Sequence, residues 1–172
     1  MMQNEYWPKQ VLIPHFGQEA ILTGVEIGVL GGCGSVGMLM NLPNLKLYCV
    51  DPWEHRDHEE FEASFTQECL DQNYDETMRR LAEYPGRFVV VRKRSDDAFQ
   101  EIPFGLDFVW IDGHHHYDQV KKDVENYRQK VRKGGIIGGH DYGQVPDVTR
   151  AVNEAFPDGV QTGDDFTWWV YL

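Results

Sequence analysis

Short apolar runs alternate along the chain with segments in which apolar residues recur every three or four positions. The apolar runs predict strands at Gly24–Val29, Lys46–Asp51, Phe88–Val91, Leu106–Ile111 and Ile136–Gly139. The segments between them have the spacing of amphipathic helices. Strands that alternate with helices are typical of βαβ units and of a parallel sheet. The pattern therefore predicts an α/β domain.

The helical segments differ in length and in how they end. Helices are predicted at Val36–Met40, within residues 57–84, and at Asp147–Phe156. A longer amphipathic helix is predicted between the fourth and fifth strands, with Gly134 and Gly135 at its end. Its apolar face consists of Tyr117, Val120, Val124, Tyr127 and Val131.

The end of the chain has a different pattern. Two segments with strand character, Val160–Thr162 and Phe166–Leu172, flank a turn of Gly163, Asp164 and Asp165. Glycine and aspartate in a short connection favour a β-hairpin. An α/β domain that ends in a hairpin departs from the ordinary dinucleotide-binding fold, in which another crossover helix is expected.

Length, charge and cysteine content narrow the class of protein. A chain of 172 residues is about one domain. Its formal net charge of -12 disfavours a nucleic acid as partner. The 3 cysteines have no paired spacing, which favours a reducing compartment over a disulfide framework or a zinc–thiolate site. We see no secretory leader and no apolar run near the roughly 18 residues that span a bilayer, so we expect a cytoplasmic protein without a membrane partner.

A glycine-rich turn follows the first predicted strand, and an acid ends the second. Gly28, Gly31, Gly32 and Gly34 allow the backbone to approach a ligand closely, although their spacing fits the dinucleotide fingerprint only in part. Asp51 lies where a carboxylate accepts the two hydroxyls of a ribose. The pair favours a cofactor that contains adenosine but no pyrophosphate, and a purely structural turn is the alternative.

Acids and histidines follow the fourth and fifth predicted strands. Asp112 and three histidines come after one strand, and His140 and Asp141 come after the next. Ligands of open parallel sheets bind beyond the carboxyl ends of the strands, so these side chains should face the same crevice as the glycine loop. Carboxylate and imidazole groups there could act as bases or bind a divalent metal.

Several motifs together resemble class I S-adenosylmethionine-dependent methyltransferases. They are VEIGV with its glycine turn, CVDPW, DFVWIDGHHHYDQVKKDVENYRQKVRKGGIIGGHDY and TWWVYL. Within that class the chain is most similar to the small subfamily of macrocin-type O-methyltransferases and cephalosporin hydroxylase-like proteins. The resemblance covers about residues 22–172.

The resemblance implies a fold and a domain organisation. The expected fold is a Rossmann-like, doubly wound sheet of seven strands, mostly parallel with an antiparallel C-terminal strand, in three α/β/α layers. We expect residues 1–172 to form one methyltransferase domain, with residues 1–20 as an N-terminal extension.

The resemblance also assigns roles in binding S-adenosylmethionine. Glu26 would support the glycine loop or the methionine amine, Asp51 would bind the ribose, and Asp112 would lie near the methionine end. Trp53 either leans on the adenosine or packs within its loop. An extra residue in LGGCGS leaves open which loop glycine contacts the cofactor. The full set of expected cofactor-binding residues is Glu26, Gly28, Val29, Gly31, Gly32, Asp51, Pro52, Trp53, Ser95, Asp96 and Asp112, with Ser95 and Asp96 near the adenine.

Transfer of a methyl group to a hydroxyl requires a base or a metal that lowers the hydroxyl pKa. The catalytic residues expected from the sequence are His114 or His115 as the base, together with Asp112; a structural hydrogen bond is the alternative role for His115. A divalent ion would be held by Asp112, His140 and Asp141. Histidine ligands shift the preference from Mg²⁺ toward Mn²⁺ or a transition metal.

The sequence leaves other functions open. The preferred function is O-methylation of a small molecule or a sugar hydroxyl. A nicotinamide-dependent oxidoreductase is one alternative, because Asp51 would serve either cofactor. A methyltransferase-like binding module without catalysis is the other, because no long lid is evident. Residues 53–75 or a second subunit of a homo-oligomer would then enclose the acceptor.

Overall fold

The computed structural model describes residues 6–55 and 65–172. Within them, seven strands form one sheet in the order β3-β2-β1-β4-β5-β7-β6. β1 to β5 are parallel, whereas β7 pairs antiparallel with both β5 and β6. The strands are β1 (Leu22–Ile27), β2 (Leu45–Val50), β3 (Phe88–Val91), β4 (Leu106–Ile111), β5 (Val131–Gly139), β6 (Gln161–Thr162) and β7 (Trp168–Tyr171).

Helices cover both faces of the sheet. A π-helix at Trp7–Leu12 continues into the short α1, and the short α4 continues into a 3₁₀ turn at Phe99–Glu101. The α-helices are α1 (Ile13–Phe16), α2 (Cys33–Asn41), α3 (Gln67–Leu81), α4 (Ser95–Ala98), α5 (Tyr117–Arg128) and α6 (Pro146–Ala155). None of the helices in the described part of the chain is long and apolar enough to cross a membrane.

Two apolar clusters place the sheet between two helical layers. On β4, Val109 and Ile111 belong to the cluster beneath α5 and α6, whereas Phe108 and Trp110 belong to the cluster beneath the N-terminal helices and α2. All residues of β4 are buried because helices cover both of its faces. The fold expected from the sequence is therefore confirmed, including the antiparallel C-terminal strand.

The boundaries of several elements differ from the predicted ones. The predicted helix through Val131 is wrong at its end: α5 stops at Arg128, and β5 already begins at Val131. An apolar residue spaced for the helix face is also suitable for a strand, and β4 pairs with Val131 through Leu106. β1 and β2 begin and end one or two residues earlier than predicted. The part of the predicted helical region at 57–64 lies outside the described residues.

Candidate functional site

A cavity of about 1060 Å³ opens at the carboxyl ends of the parallel strands. Its walls come from the loops after β1, β2, β4 and β5, which the topology brings to one edge of the sheet. Of the candidate site residues named from the sequence, only Gly32 does not line this cavity. Asp51, which ends KLYCVD, and Asp112, which ends DFVWID, thus line the same cavity.

Asp51 fixes the glycine loop through its carboxylate. Oδ2 accepts hydrogen bonds from the backbone N–H groups of Val29 and Leu30, each at 2.9 Å, and Oδ1 accepts one from Trp53 at 2.7 Å. Leu30 and Trp53 both have positive φ values, 48° and 44°. The carboxylate therefore holds two strained segments together at the edge of the cavity.

Trp53 packs beneath the loop. It is 1% exposed, its indole Nε1 donates to the carbonyl of Leu30 at 2.8 Å, and its ring meets Tyr74 edge-on. The hydroxyl of Thr77 donates to the same carbonyl at 2.8 Å. Trp53 lines the cavity, but most of its surface supports the loop.

The glycines after β1 have different structural roles. Gly28 has a φ of +88°, and a Cβ there would lie 2.2 Å from the backbone oxygen of Asp112. Gly32, with a φ of +78°, precedes the first residue of α2 and packs against Thr77. Gly31 and Gly34 line the cavity. Gly32, in contrast, does not line the cavity.

Glu26 is buried below the start of α2. It is 2% exposed and accepts a hydrogen bond from the hydroxyl of Ser35. A Cβ on Gly34 would lie 2.2 Å from Oε1, so a larger residue there would displace this carboxyl group. Burial raises the pKa of Glu26 to about 8, and the nearby Asp112 and Asp51 carboxylates add to the effect. The unliganded chain therefore favours a protonated Glu26 at neutral pH.

Polar side chains gather at the end of the cavity next to β3. Ser95 accepts a hydrogen bond from Gln119 Nε2 at 3.1 Å, and Gln119 also donates to Asp123 at 3.0 Å. Asp96 Oδ2 pairs with Lys122 at 2.6 Å, whereas its Oδ1 is buried without a hydrogen-bond partner among the described residues. Burial raises the pKa of Asp123 to about 6. Gln119 and Asp123 also line the cavity, and we did not identify them from the sequence.

Asp112, His115 and Asp141 come together at the other end of the cavity. Each offers one ligand atom, and these atoms lie within 4.8 Å of one another. His115 Nε2 is 2.9 Å from Asp141 Oδ2. The structure therefore gathers His115, rather than the predicted His140, with the two acids. His140 Nδ1 lies 3.2 Å from Asp141 Oδ1.

Burial and neighbouring charged groups shift the pKa values of the acids and of His140 in this region. Burial raises the pKa of Asp112 to about 6, although the residue is still exposed to the open cavity. Burial would also raise the pKa of Asp141, but the hydrogen bonds from His115 and His140 outweigh it and lower that pKa. The bond to Asp141 in turn raises the pKa of His140. Asp141 is thus a stable carboxylate between two imidazoles.

The neighbouring histidines differ in position. His116 precedes α5 and is exposed, and its N–H donates to His114 Nδ1 at 3.1 Å. His114 lines the cavity. Because Nδ1 is already an acceptor in this arrangement, the other ring nitrogen of neutral His114 carries the proton. His114 is therefore less suited than His115 to accept a proton.

The N-terminal segment and the C-terminal hairpin supply a wall that sequence reasoning missed. Trp7 and Pro8 line the cavity from one side, and Asp165 and Thr167 line it from the hairpin turn. The motif TWWVYL begins at Thr167 and Asp165 belongs to the predicted turn, but no motif marks Trp7 or Pro8. The sequence signal for the N-terminal part of the wall was a large aromatic residue, Trp7, which the structure shows to be buried.

Comparison with known proteins identifies the family. A family model described as a methyltransferase domain matches residues 25–142. An uncharacterized protein, R132 of Acanthamoeba polyphaga mimivirus, is 31% identical over 156 residues, and the match covers 83% of this chain and 62% of that protein. The chain thus spans less than two thirds of this relative.

Solved structures share the fold at low sequence identity. The O-methyltransferase NovP aligns with a TM-score of 0.66 at 18% identity, over 87% of this chain and 71% of that chain. The O-methyltransferase TomG of Streptomyces achromogenes, solved in complex with S-adenosylmethionine, aligns with a TM-score of 0.64 at 16% identity, over 93% and 76%.

The family match and the fold together define the class of this protein. The chain belongs to the methyltransferase domain family and has the class I fold of S-adenosylmethionine-dependent methyltransferases.

Proposed function

We propose that this protein is an S-adenosylmethionine-dependent O-methyltransferase that acts on a hydroxyl of a small molecule. The main observation in support of this proposal is that Asp51 and Asp112 line the same cavity of about 1060 Å³. A volume of that size is large enough for a cofactor and an acceptor side by side. The family match supports methyl transfer, and O-methyltransferases are among the structures that share the fold.

The cofactor residues fit the proposed ligand. Asp51 would accept the ribose hydroxyls with the lone pairs that its backbone donors leave over. The unpaired Oδ1 of Asp96 would accept a hydrogen bond from the adenine amino group, with Ser95 beside it. The floor of the cavity between the ribose and adenine positions would consist of Val29, Gly31, Pro52 and Trp53. When bound, S-adenosylmethionine supplies a methyl group on an electrophilic sulfonium.

Glu26 and Asp112 would serve the methionine end. Both are acids with raised pKa values at the edge of the cavity. A cationic ligand favours the ionised form of a nearby carboxyl group. We expect Glu26 to act through the loop, because its bond to Ser35 fixes the first turn of α2.

His115 would accept the proton of the acceptor hydroxyl. Asp141 pairs with its Nε2 and would stabilise the imidazolium that forms. Alignment of the hydroxyl with the methyl carbon would supply most of the remaining acceleration, since methyl transfer needs little covalent assistance.

As the alternative to a base role for His115, the side chains of Asp112, His115 and Asp141 fit a divalent cation. The oxygen, nitrogen and oxygen donors of Asp112, His115 and Asp141 lie close enough to share one ion, and two carboxylates would balance its charge. One imidazole in the set favours Mn²⁺ or a transition metal over Mg²⁺. A metal held here would lower the pKa of a bound hydroxyl.

Calorimetric titration tests the cofactor assignment. We expect wild-type protein to bind S-adenosylmethionine and to bind NAD far more weakly. Asp51→Ala should weaken binding roughly 100-fold, because it removes charge-assisted hydrogen bonds to the loop and to the ribose. Asp71→Ala, which removes an exposed acid paired with Arg92, is the control and should bind normally. Equal affinity of Asp51→Ala and wild type, or tighter binding of NAD, would contradict the proposal.

A further inference from the structure

Two segments distant in sequence form one wall of the cavity. The ring of Tyr6 packs on Gly163, where a Cβ would lie 2.5 Å from the tyrosine oxygen. The indole of Trp7 covers Gly138, where a Cβ would lie 2.6 Å from the ring, and its centroid is 4.6 Å from that of Trp110. The N-terminal helix and the hairpin turn are thus fixed against each other beside the strand ends.

This wall contains buried polar groups that no described residue pairs with. Thr167 is 1% exposed and Trp7 is 4% exposed, and both line the cavity. Neither Thr167 Oγ1 nor Trp7 Nε1 has a hydrogen-bond partner among the described residues. The backbone of Thr167 is held in place, since its N–H donates to Asp165 Oδ1 at 3.2 Å and its carbonyl accepts from Gly163 at 2.8 Å.

Unpaired buried polar groups are costly in a folded chain. Each such group loses its hydrogen bonds to water and gains none in return, so these groups are rare unless a ligand satisfies them. The indole N–H and the threonine hydroxyl can each donate a hydrogen bond to an oxygen atom of a ligand. The wall therefore fits a ligand group that carries oxygen.

The charges of the cavity restrict the ligand further. Nine carboxyl side chains and two arginines belong to its described lining. The arginines are already engaged, Arg80 with Glu76 and Arg94 with Glu54. Asp165 lies beside Thr167 and close enough to His140 to act on it electrostatically. An anionic group next to this wall would be repelled, whereas a neutral or cationic group would not.

We propose that Thr167 and Trp7 form an acceptor subsite for a neutral or cationic polyhydroxylated molecule. The Thr167 hydroxyl and the indole N–H of Trp7 donate hydrogen bonds to oxygens of the acceptor other than the one that is methylated. Asp165 excludes anionic acceptors. This inference rests on the proposed function, because the acceptor is bound beside the methyl donor.

Binding measured without turnover tests the subsite. Glucose, glucosamine and glucose 6-phosphate are the probes, each followed by saturation-transfer NMR with S-adenosylhomocysteine present. We expect the two sugars without phosphate to bind at least about tenfold more tightly than the phosphate ester, and Thr167→Val to weaken glucosamine binding roughly tenfold. Thr162→Val, an exposed position in the same hairpin, should bind as wild type does.

Stability provides a second measurement that a structural role would not give. Thr167→Val removes an unpaired buried hydroxyl, so its melting temperature should equal or exceed that of wild type. Thr77→Val removes a paired hydroxyl and should melt lower. A fall for Thr167→Val as large as that for Thr77→Val would overturn the inference.

The binding outcomes separate the two proposals. Equal or tighter binding of glucose 6-phosphate, unchanged glucosamine binding by Thr167→Val, or no sugar binding while S-adenosylhomocysteine binds would each overturn the subsite alone. Failure of wild-type protein to bind S-adenosylhomocysteine would overturn the proposed function and the subsite with it.

Discussion

The two ends of the cavity differ in how their polar groups are satisfied. At the end formed by β1 and β2, Asp51 accepts from the backbone of Val29, Leu30 and Trp53. At the end formed by β4, β5 and β7, Asp112 and Asp141 lie in one cluster, and Thr167 Oγ1 has no partner among the described residues. The loops after β1 and β2 are thus held by hydrogen bonds within the chain, whereas the second end has carboxylates and a hydroxyl that a ligand would satisfy.

Gly28 is where the two ends meet, so a side chain there should have the largest effect. Gly28→Ala would place a Cβ 2.2 Å from the backbone oxygen of Asp112 at a φ of +88°. We expect a loss of at least about 3 kcal/mol of unfolding free energy, measured by urea denaturation.

A variant at a second glycine measures the cost of the backbone conformation without a steric clash. Gly143 has a φ of +83°, and a Cβ added there would meet nothing within 4 Å among the described residues. Gly143→Ala should cost only about 1 kcal/mol, from the backbone conformation alone. Similar losses for the two variants would show that the ends of the cavity are not in tight contact at Gly28.

Glu26 gives the next largest effect, through pH. Its pKa is about 8 in the folded chain against 4.5 for the ordinary group, so the folded state binds the extra proton between these values. Stability should therefore fall as pH rises from about 4.5 to about 8. Glu26→Gln should lose most of this dependence in denaturation curves measured across the range.

Asp123 is the matched comparison for Glu26. Its pKa is raised from 3.8 to about 6, so it affects stability over a narrower pH range than Glu26 does, and at lower pH. Asp123→Asn should change the pH dependence only below about pH 6. A wild-type stability that is flat or rises between about pH 6 and about pH 8, after correction for the histidines, would contradict a protonated Glu26.

Metal binding tests the end of the cavity formed by β4, β5 and β7. Added Mn²⁺ should raise the melting temperature of wild-type protein, by the equivalent of about 2 kcal/mol at saturating metal. His115→Ala should lose most of the shift, whereas His140→Ala should keep it, because only His115 belongs to the cluster with Asp112 and Asp141. Each shift is measured against the variant's own metal-free value. A larger loss in His140→Ala would favour the ligand set predicted from the sequence.

Asp96 should have the smallest effect, confined to the adenine end. Asp96→Asn changes the acceptor that faces the adenine amino group and should weaken S-adenosylhomocysteine binding about tenfold by calorimetry. Binding of S-inosylhomocysteine, which lacks that amino group, should change little. Asp97→Asn, an exposed neighbour outside the cavity lining, is the control. Equal losses with both ligands would remove Asp96 from adenine recognition.

Much of the fold was predictable because its signals are local. A buried parallel strand such as Leu106–Ile111 needs apolar residues on both faces, and its prediction matched β4 residue for residue. The end of α5 was not predictable in this way. Val131 continues the helical spacing, and only pairing between Leu106 and Val131 assigns it to β5.

The candidate site was likewise predictable only in part. The residues directly after strands, such as Asp51 and Asp112, were found because topology sends the carboxyl ends of parallel strands to one edge. The grouping of His115 with Asp112 and Asp141 was not predicted from the sequence. Adjacent residues on a loop leave the backbone in different directions, and Asp141 has a φ of 65°, which no spacing rule predicts.

The sequence by itself determined the class of fold, the family resemblance and the strand ends that carry the acids, because these depend on periodicity and short motifs. Only the tertiary structure decided that Trp7 and Thr167 share a wall, because contacts between the two ends of a chain leave no local pattern. The raised pKa of Glu26 was likewise decided by tertiary structure, since it comes mainly from burial beneath α2. Long-range packing sets both features.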